Sequence, residues 1–268
     1  MLDADENAAD GYIWGTKAGD RLGTSLATGD LDGDGCAEIL AGAEGWDGRT
    51  ALLALSLCEY GAFAPDSHLL AEDLAMGIFT APPSWRVGAS STQLPPADID
   101  GDGLLDLVIA APGSAAVFVF PHGGAAWGTV ALDRITDSDA WVITGAGTTR
   151  FAEAVATGSD LDGDGREEVV VGAPGVHVAT DAGETLFCAG AVYVFDPAGS
   201  LPSGTLTEAD AEAVFFGEHD GDELGSGLAA GGDLNADGLE DLVLGARGWS
   251  DTTGGYCGAV LGLLGWKP

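Results

Sequence analysis

The feature that most constrains this chain is a nine-residue stretch that occurs four times. Its first copy is Asp30-Leu-Asp32-Gly-Asp34-Gly-Cys-Ala-Glu38, with acidic residues at positions 1, 3, 5 and 9 and Gly35 at position 6. Alternate carboxylates in so short a loop point at one place and repel one another unless a cation lies among them. A hard divalent ion that takes roughly six to eight oxygens resolves the repulsion, and Ca²⁺ fits best. Gly35 permits a sharp turn, so that the next carbonyl, on Cys36, can also face the ion. The second copy carries Asp98, Asp100, Asp102 and Asp106, and the third Asp160, Asp162, Asp164 and Glu168. The last has Asp233, Asn235, Asp237 and Asp241, with Ala236 at position 4. Asparagine still offers a carbonyl oxygen, so a weaker fourth site is expected rather than a missing one. Adding the position-7 carbonyls of Cys36, Leu104, Arg166 and Leu239 completes the expected ligand sets for up to four structural Ca²⁺.

The leading acids of the copies lie 68, 62 and 73 residues apart, a near-regular spacing that marks an array of repeated units. The approximate repeats are 12–60, 75–122, 141–198 and 213–266, within a single domain over 1–268. An apolar run follows each loop: Glu38–Ala43, Asp106–Pro112, Glu168–Pro174 and Asp241–Arg247. A second follows at Thr50–Leu55, Ala115–Phe120, Gly190–Phe195 and Gly258–Leu263. Short branched apolar runs ended by small residues or proline read as buried strands, and each pair reads as a hairpin. A further segment precedes each loop (Arg21–Ala27, Arg86–Ser90, Arg150–Ala156, Glu223–Ala229), and another lies earlier still, at Tyr12–Gly15, Ala75–Phe79, Trp141–Gly145 and Ala213–Gly217. Nothing reads as a long helix. Repeated four-stranded antiparallel sheets describe an all-β propeller. The chain opens on an outer-strand segment and ends on a third-strand segment, so pairing of its two ends is expected to close the ring and remove exposed edges.

The short stretches that flank the loops resemble the FG-GAP repeat family of integrin α-subunit propellers. The first survives as Leu22-Gly23, Val87-Gly88, Phe151-Ala152 and Leu224-Gly225, and the second as Gly42-Ala43, Ala111-Pro112, Gly172-Ala173-Pro174 and Gly245-Ala246. The resemblance implies blades whose calcium loop joins the first two strands, structural Ca²⁺, and adhesion or ligand binding through loops on one face. Two departures stand out. Such propellers usually have seven blades where four are counted here, which leaves open a closed four-bladed ring, a fragment or part of an oligomeric ring. No Asp-x-Ser-x-Ser or Arg-Gly-Asp motif is present, so integrin-type ligand recognition does not carry over.

Other classes fit poorly. An EF-hand needs a bidentate Glu at position 12 between helices, where this chain has Ala41, Ile109, Val171 and Leu244 inside strands. A net charge of −34 argues against nucleic acid and anionic membrane as partners. No run of apolar residues is long enough to span a membrane, and Met1-Leu-Asp-Ala-Asp5 does not read as an export leader, so any such signal is expected to have been removed or never present. The four histidines, His68, His122, His177 and His219, share no triad-like spacing. Trp46 and Trp249 occupy matching positions, which favours a packing role. The hairpin argument places Cys36 near Cys58, and adjacent loops could bring Cys188 near Cys257. Disulfides and calcium loops together point outside the cytoplasm: extracellular, cell surface or periplasmic. The leading expectation is a non-enzymatic scaffold that binds a protein or glycan, with homo-oligomers left open. A hydrolase or lyase acting on polysaccharide, and a self-associating structural repeat protein, are the alternatives.

Overall fold

The computed structural model describes residues 11–58, 67–89, 96–121, 127–136, 139–196, 204–250 and 255–266, with the side chains of 67 and 68 excepted. The chain is built of strands, with a single four-residue α-helix among the described residues. In chain order these are β1 (Gly11–Trp14), β2 (Leu22–Gly29), β3 (Glu38–Ala43), β4 (Thr50–Leu55), β5 (Ser67–Leu70), α1 (Ala71–Leu74) and β6 (Ala75–Ala81). Then come β7 (Leu107–Ala111), β8 (Ala116–Phe120), β9 (Gly128–Ala131), β10 (Trp141–Thr144), β11 (Ala154–Ala156) and β12 (Val169–Ala173). The remainder are β13 (Val178–Ala179), β14 (Thr185–Leu186), β15 (Ala191–Phe195), β16 (Gly204–Thr207), β17 (Ala213–Phe216), β18 (Leu224–Gly232), β19 (Asp241–Ala246) and β20 (Ala259–Leu263).

Most of these strands make four successive sheets, here units I to IV, while β1 with β5 and β13 with β14 form two small separate ones. Unit I runs β2-β3-β4-β6, unit II β7-β8-β10, unit III β11-β12-β15-β17 and unit IV β18-β19-β20, all antiparallel between neighbours. In unit II the segment before the loop is reduced, among the described residues, to a bridge between Ala97 and Asp106. Three short strands join in parallel and have no counterpart in the sequence reading: β5 on β1, β9 on β6 and β16 on β10. The expected pairing of the chain's two ends is not what forms. β1 pairs with β5, and β20 ends its sheet with β19 as its neighbour.

The central hairpin strands are buried on both faces: every residue of β4, β7, β8, β12 and β15 is buried. Their alternate side chains therefore enter two different cores. Val171, Tyr193 and Phe195 meet Val117, Val119 and Ile143 between units II and III, while Val170, Val192 and Val194 meet Leu242 and Leu244 between III and IV. A like cluster between I and II holds Phe79, Leu52, Ile109 and Phe118.

The FG and GAP stretches are where units touch. The residue before each FG is left-handed (Arg21, Arg86, Arg150 and Glu223, φ 53 to 59°), which throws the chain across the preceding unit. Gly88 of unit II then lies on Gly42 and Ala51 of unit I, and a Cβ at Gly88 would collide with the Ala51 carbonyl. Gly225 of unit IV lies in the same way on Gly172 and Ala191 of unit III. Backbone meets backbone at these points, and the positive φ of Gly88 and Gly225 makes glycine doubly required.

Candidate metal loops

Each loop joins the first strand of a unit, or the bridge that replaces it, to the second. The four have one internal wiring. The position-6 glycine N–H donates to the first aspartate: Gly35 to Asp30, Gly103 to Asp98, Gly165 to Asp160 and Gly238 to Asp233, at 2.9 to 3.0 Å. Position 5 donates to the side chain at position 3: Asp34 to Asp32, Asp102 to Asp100, Asp164 to Asp162 and Asp237 to Asn235. The backbone N–H of position 7 (Cys36, Leu104, Arg166, Leu239) donates to the carboxylate at position 5. The last acid reaches back to position 2: Glu38 accepts from Leu31, Asp106 from Ile99, Glu168 from Leu161 and Asp241 from Leu234, at 2.6 to 2.9 Å. This wiring holds at least one oxygen of most of these side chains against the backbone, and both oxygens of Asp160 and Asp233.

In the first three loops carboxylates converge, at positions 1, 3 and 9 in the first two and also at position 5 in the third, so Asp34 and Asp102 stand outside their loops' clusters. Asp30, Asp32 and Glu38 form one cluster, Asp98, Asp100 and Asp106 a second, and Asp160, Asp162, Asp164 and Glu168 a third, each with ligand atoms within 4.8 Å of one another. Asp30 Oδ1, Glu38 Oε1, Asp98 Oδ1 and Glu168 Oε1 are buried without a hydrogen-bond partner. Glu38 and Glu168 are fully buried. Burial pushes both carboxyls up, Glu168 to about 8, and the nearby loop aspartates push the same way. Asp162 is likewise raised by burial. Buried, unpartnered, mutually repelling oxygens fit a hard divalent cation, which supplies the missing partner and the missing charge together.

The fourth loop differs. Asn235 Nδ2 donates to Asp237 Oδ2 at 2.8 Å, and Gly265 N–H donates to Asp241 Oδ1 at 2.8 Å. Here Gly265 satisfies the Asp241 oxygen whose equivalent, Glu168 Oε1, has no partner in the third loop, while the position-5 acid is held in both, Asp164 by Arg166. All of 233–238 is exposed, and the Gly238 N–H holds the Asp233 carboxyl below its ordinary value. Ala236 adopts φ 61° where the other loops have glycine.

Residues outside the expected sets tie the loops together. Glu167, at position 8 of the third loop, accepts from the Asp98 N–H of the second at 3.1 Å. Glu240, at the same position of the fourth, accepts from the Asp160 N–H of the third at 3.1 Å. Burial raises the Glu167 carboxyl. Arg166 holds Asp164 and bonds Asp196 through two nitrogens, at 3.1 and 3.2 Å, and Asp196 also lies with Asp162 and Glu212 in a second acidic group. A glutamate at position 8 only in the third and fourth copies was the available signal for the first two contacts. Nothing in sequence linked Asp196 or Glu212 to the loops.

Cys36 and Cys58 form a disulfide, as the hairpin argument expected. Cys188 and Cys257 are free, contrary to the expected pairing. Cys188 is left-handed (φ 50°) and its N–H bonds His177 Nδ1 at 2.9 Å, which holds it within the loop of its own unit. His219 lies 3.4 Å from Asp222, His177 packs on Phe187, and the side chains of His68 and His122 fall outside the described residues. Trp46 is buried, Trp85 stacks on Phe118, Trp127 meets Phe79 edge-on and Trp249 packs between units III and IV, so these loop tryptophans serve packing.

The chain carries FG-GAP repeats: the model of that repeat matches residues 22–53, 91–127 and 151–188, which contain the first three loops. The fourth loop lies outside the matched stretches. Among curated relatives, human integrin alpha-X is 32% identical over 176 residues, 61% of this chain and 14% of that protein. Integrin alpha pat-2 of Caenorhabditis elegans is 27% identical over 252 residues, covering 85% of this chain and 18% of that protein. Drosophila integrin alpha-PS2 is 31% identical over 150 residues, 56% of this chain and 10% of that protein. The chain thus spans between about a tenth and a fifth of the length of the integrin alpha relatives it matches.

Proposed function

We propose that this chain is a calcium-clamped propeller segment that presents inter-strand loops to a protein or glycan ligand outside the cytoplasm, without enzymatic activity. The observation that supports the metal reading best is the set of buried, unpartnered inward oxygens on Asp30, Glu38, Asp98 and Glu168. Ca²⁺ would be held in the first three units by the carboxylates at positions 1, 3, 5 and 9. It would neutralise their repulsion and so lock the turn between the first two strands of each unit. The fourth loop, with its oxygens already bonded, is the weak site. FG-GAP repeats and integrin alpha relatives support the adhesion reading, and the Cys36–Cys58 disulfide supports an oxidising compartment. No helix among the described residues is long and apolar enough to cross a membrane.

Calorimetric titration of the chelator-stripped protein with Ca²⁺, alongside thermal unfolding in Ca²⁺ and in EGTA, tests the reading. Three tight sites, a weaker fourth and a lower melting temperature in EGTA are expected. No heat of binding and an unchanged melting temperature would remove the metal from the account.

A further inference from the structure

The second and third loops touch through Glu167 and Gly101. Glu167 stands between two residues of the expected third ligand set, Arg166 and Glu168, and meets Asp98 in a reciprocal pair. Its N–H donates to the Asp98 carbonyl at 3.1 Å, and its Oε2 accepts from the Asp98 N–H at 3.1 Å. Gly101, at position 4 of the second loop, lies on the stem of Arg166, where a Cβ would stand 2.9 Å from Cγ. Asp98 is the first expected ligand of its own loop, and the Gly103 N–H holds its Oδ2 at 2.9 Å. Its other oxygen, Oδ1, is buried without a partner, and so is Glu168 Oε1, one residue beyond Glu167. The pair therefore joins the backbones that carry an unpartnered oxygen in each of two loops.

The junction between the first and second loops lacks the acid. Leu105 stands at position 8 of the second loop, and its side chain lies beside Gly29, the residue before Asp30. A Cβ at Gly29 would stand 3.2 Å from Leu105 Cδ1, and one at Gly33 would stand 3.1 Å from Leu104 Cδ2. Leucine methyls pack on the first loop but accept no hydrogen bond, so Leu105 cannot hold the Asp30 backbone. At the other end, Glu240 of the fourth loop accepts from the Asp160 N–H at 3.1 Å. There, however, both oxygens of Asp241 are already bonded, by Leu234 and Gly265. Among the described residues, only the second and third loops combine a position-8 carboxylate contact with unpartnered buried oxygens on both sides of it.

We propose that Glu167 couples the second and third loops, so that these two take up Ca²⁺ with positive cooperativity while the first loop binds its ion independently. The inference rests on the calcium reading above and adds to it a residue that is a ligand of neither ion. Once the Arg166 carbonyl and the Glu168 carboxylate hold an ion, the residue between them is fixed. Glu167 then holds the Asp98 backbone at two atoms, which sets the Asp98 carboxylate for the second loop's ion. Ordering of this shared stretch serves both sites, so whichever ion binds second meets a loop already in place. Linkage makes the gain equal in both directions. Glu167 is thus a positioning residue, and Leu105 leaves the first loop outside the coupled pair.

The test is calorimetric Ca²⁺ titration of the chelator-stripped full chain in two backgrounds. In one, Asp30→Asn/Asp32→Asn and Asp233→Asn/Asp237→Asn silence the first and fourth loops. The overall constant for two ions is expected to exceed the product of the two single-loop constants, measured after silencing the second or the third loop in the same way, at least about fivefold. Glu167→Leu is expected to bring it down to that product. In the other background the third and fourth loops are silenced, by Asp160→Asn/Asp162→Asn and Asp233→Asn/Asp237→Asn. Here the overall constant is expected to equal the product, and Leu105→Glu is expected to raise it above, a gain that unfolding cannot mimic. Two ions bound by the second and third loops without any excess, an excess that survives Glu167→Leu, or a Leu105→Glu chain without gain each overturns the proposal and leaves the calcium reading standing. No heat of binding in either background overturns both.

Discussion

Units III and IV repeat the same strand order and the same nine-residue loop, yet they differ at two places at once. In unit III the third strand is buried end to end and Glu168 Oε1 of the loop is buried without a partner. In unit IV the third strand is open and the inward oxygens of Asp237 and Asp241 are bonded to Asn235 and Gly265. A repeat can thus keep its hairpin while its metal loop and its outer edge are both altered. The hairpin depends on local apolar pattern, whereas the loop depends on charge placed where nothing else can neutralise it.

The largest effect separating the two units is core truncation. Phe151→Ala, at a fully buried ring between units II and III, is expected to cost about 3–5 kcal/mol in chemical unfolding. Val260→Ala, on the exposed third strand of unit IV, should cost under about 1 kcal/mol. Equal losses would mean that unit IV is as tightly closed as unit III. Next comes the contact between units: Gly225→Ala is expected to lose about 2–3 kcal/mol, through positive φ and collision with the Ala191 carbonyl. Gly227→Ala, two residues on in open space, should change little.

The loops give the third comparison. Glu168 in the folded chain ionises near pH 8, while in the unfolded chain it ionises near its ordinary value, so the unfolded state sheds its proton first as pH rises. Metal-free protein should therefore be most stable below about pH 4.5 with respect to this group, and lose that contribution progressively toward pH 8. Glu168→Gln should flatten this slope in EGTA and remove one tight Ca²⁺ site, whereas Asp237→Asn should leave the tight sites intact. A slope unchanged by Glu168→Gln would mean that another group sets it. Smallest is Ala236→Gly, expected to raise stability by about 1 kcal/mol by relieving left-handed strain. A matching Gly163→Ala in the third loop should lose a similar amount.

The loops, the hairpins and one disulfide were legible because each is encoded locally: carboxylates at alternate positions, apolar runs of strand length, and cysteines at the two ends of one hairpin. β5, β9 and β16 were not. Gly128-Thr-Val-Ala131 and Gly204-Thr-Leu-Thr207 have little apolar pattern of their own and are strands because an outer strand offers them an edge. The end-to-end closure failed for a related reason. Equivalence in sequence shows that β1 is an outer strand, and the chain's curvature decides whether β20 is within its reach. Cys188 and Cys257 are free because equivalence of position in two repeats does not set the Cα separation that a bridge needs.

The position-8 glutamates give the array a direction. Glu240 grips the first residue of the third loop and Glu167 that of the second, always toward the N-terminus, while Ala37 and Leu105 at the same place have no carboxylate to extend. Slack introduced at the fourth corner can thus travel backward through two neighbours along charged arms, whereas slack at the first has no such arm by which to travel forward.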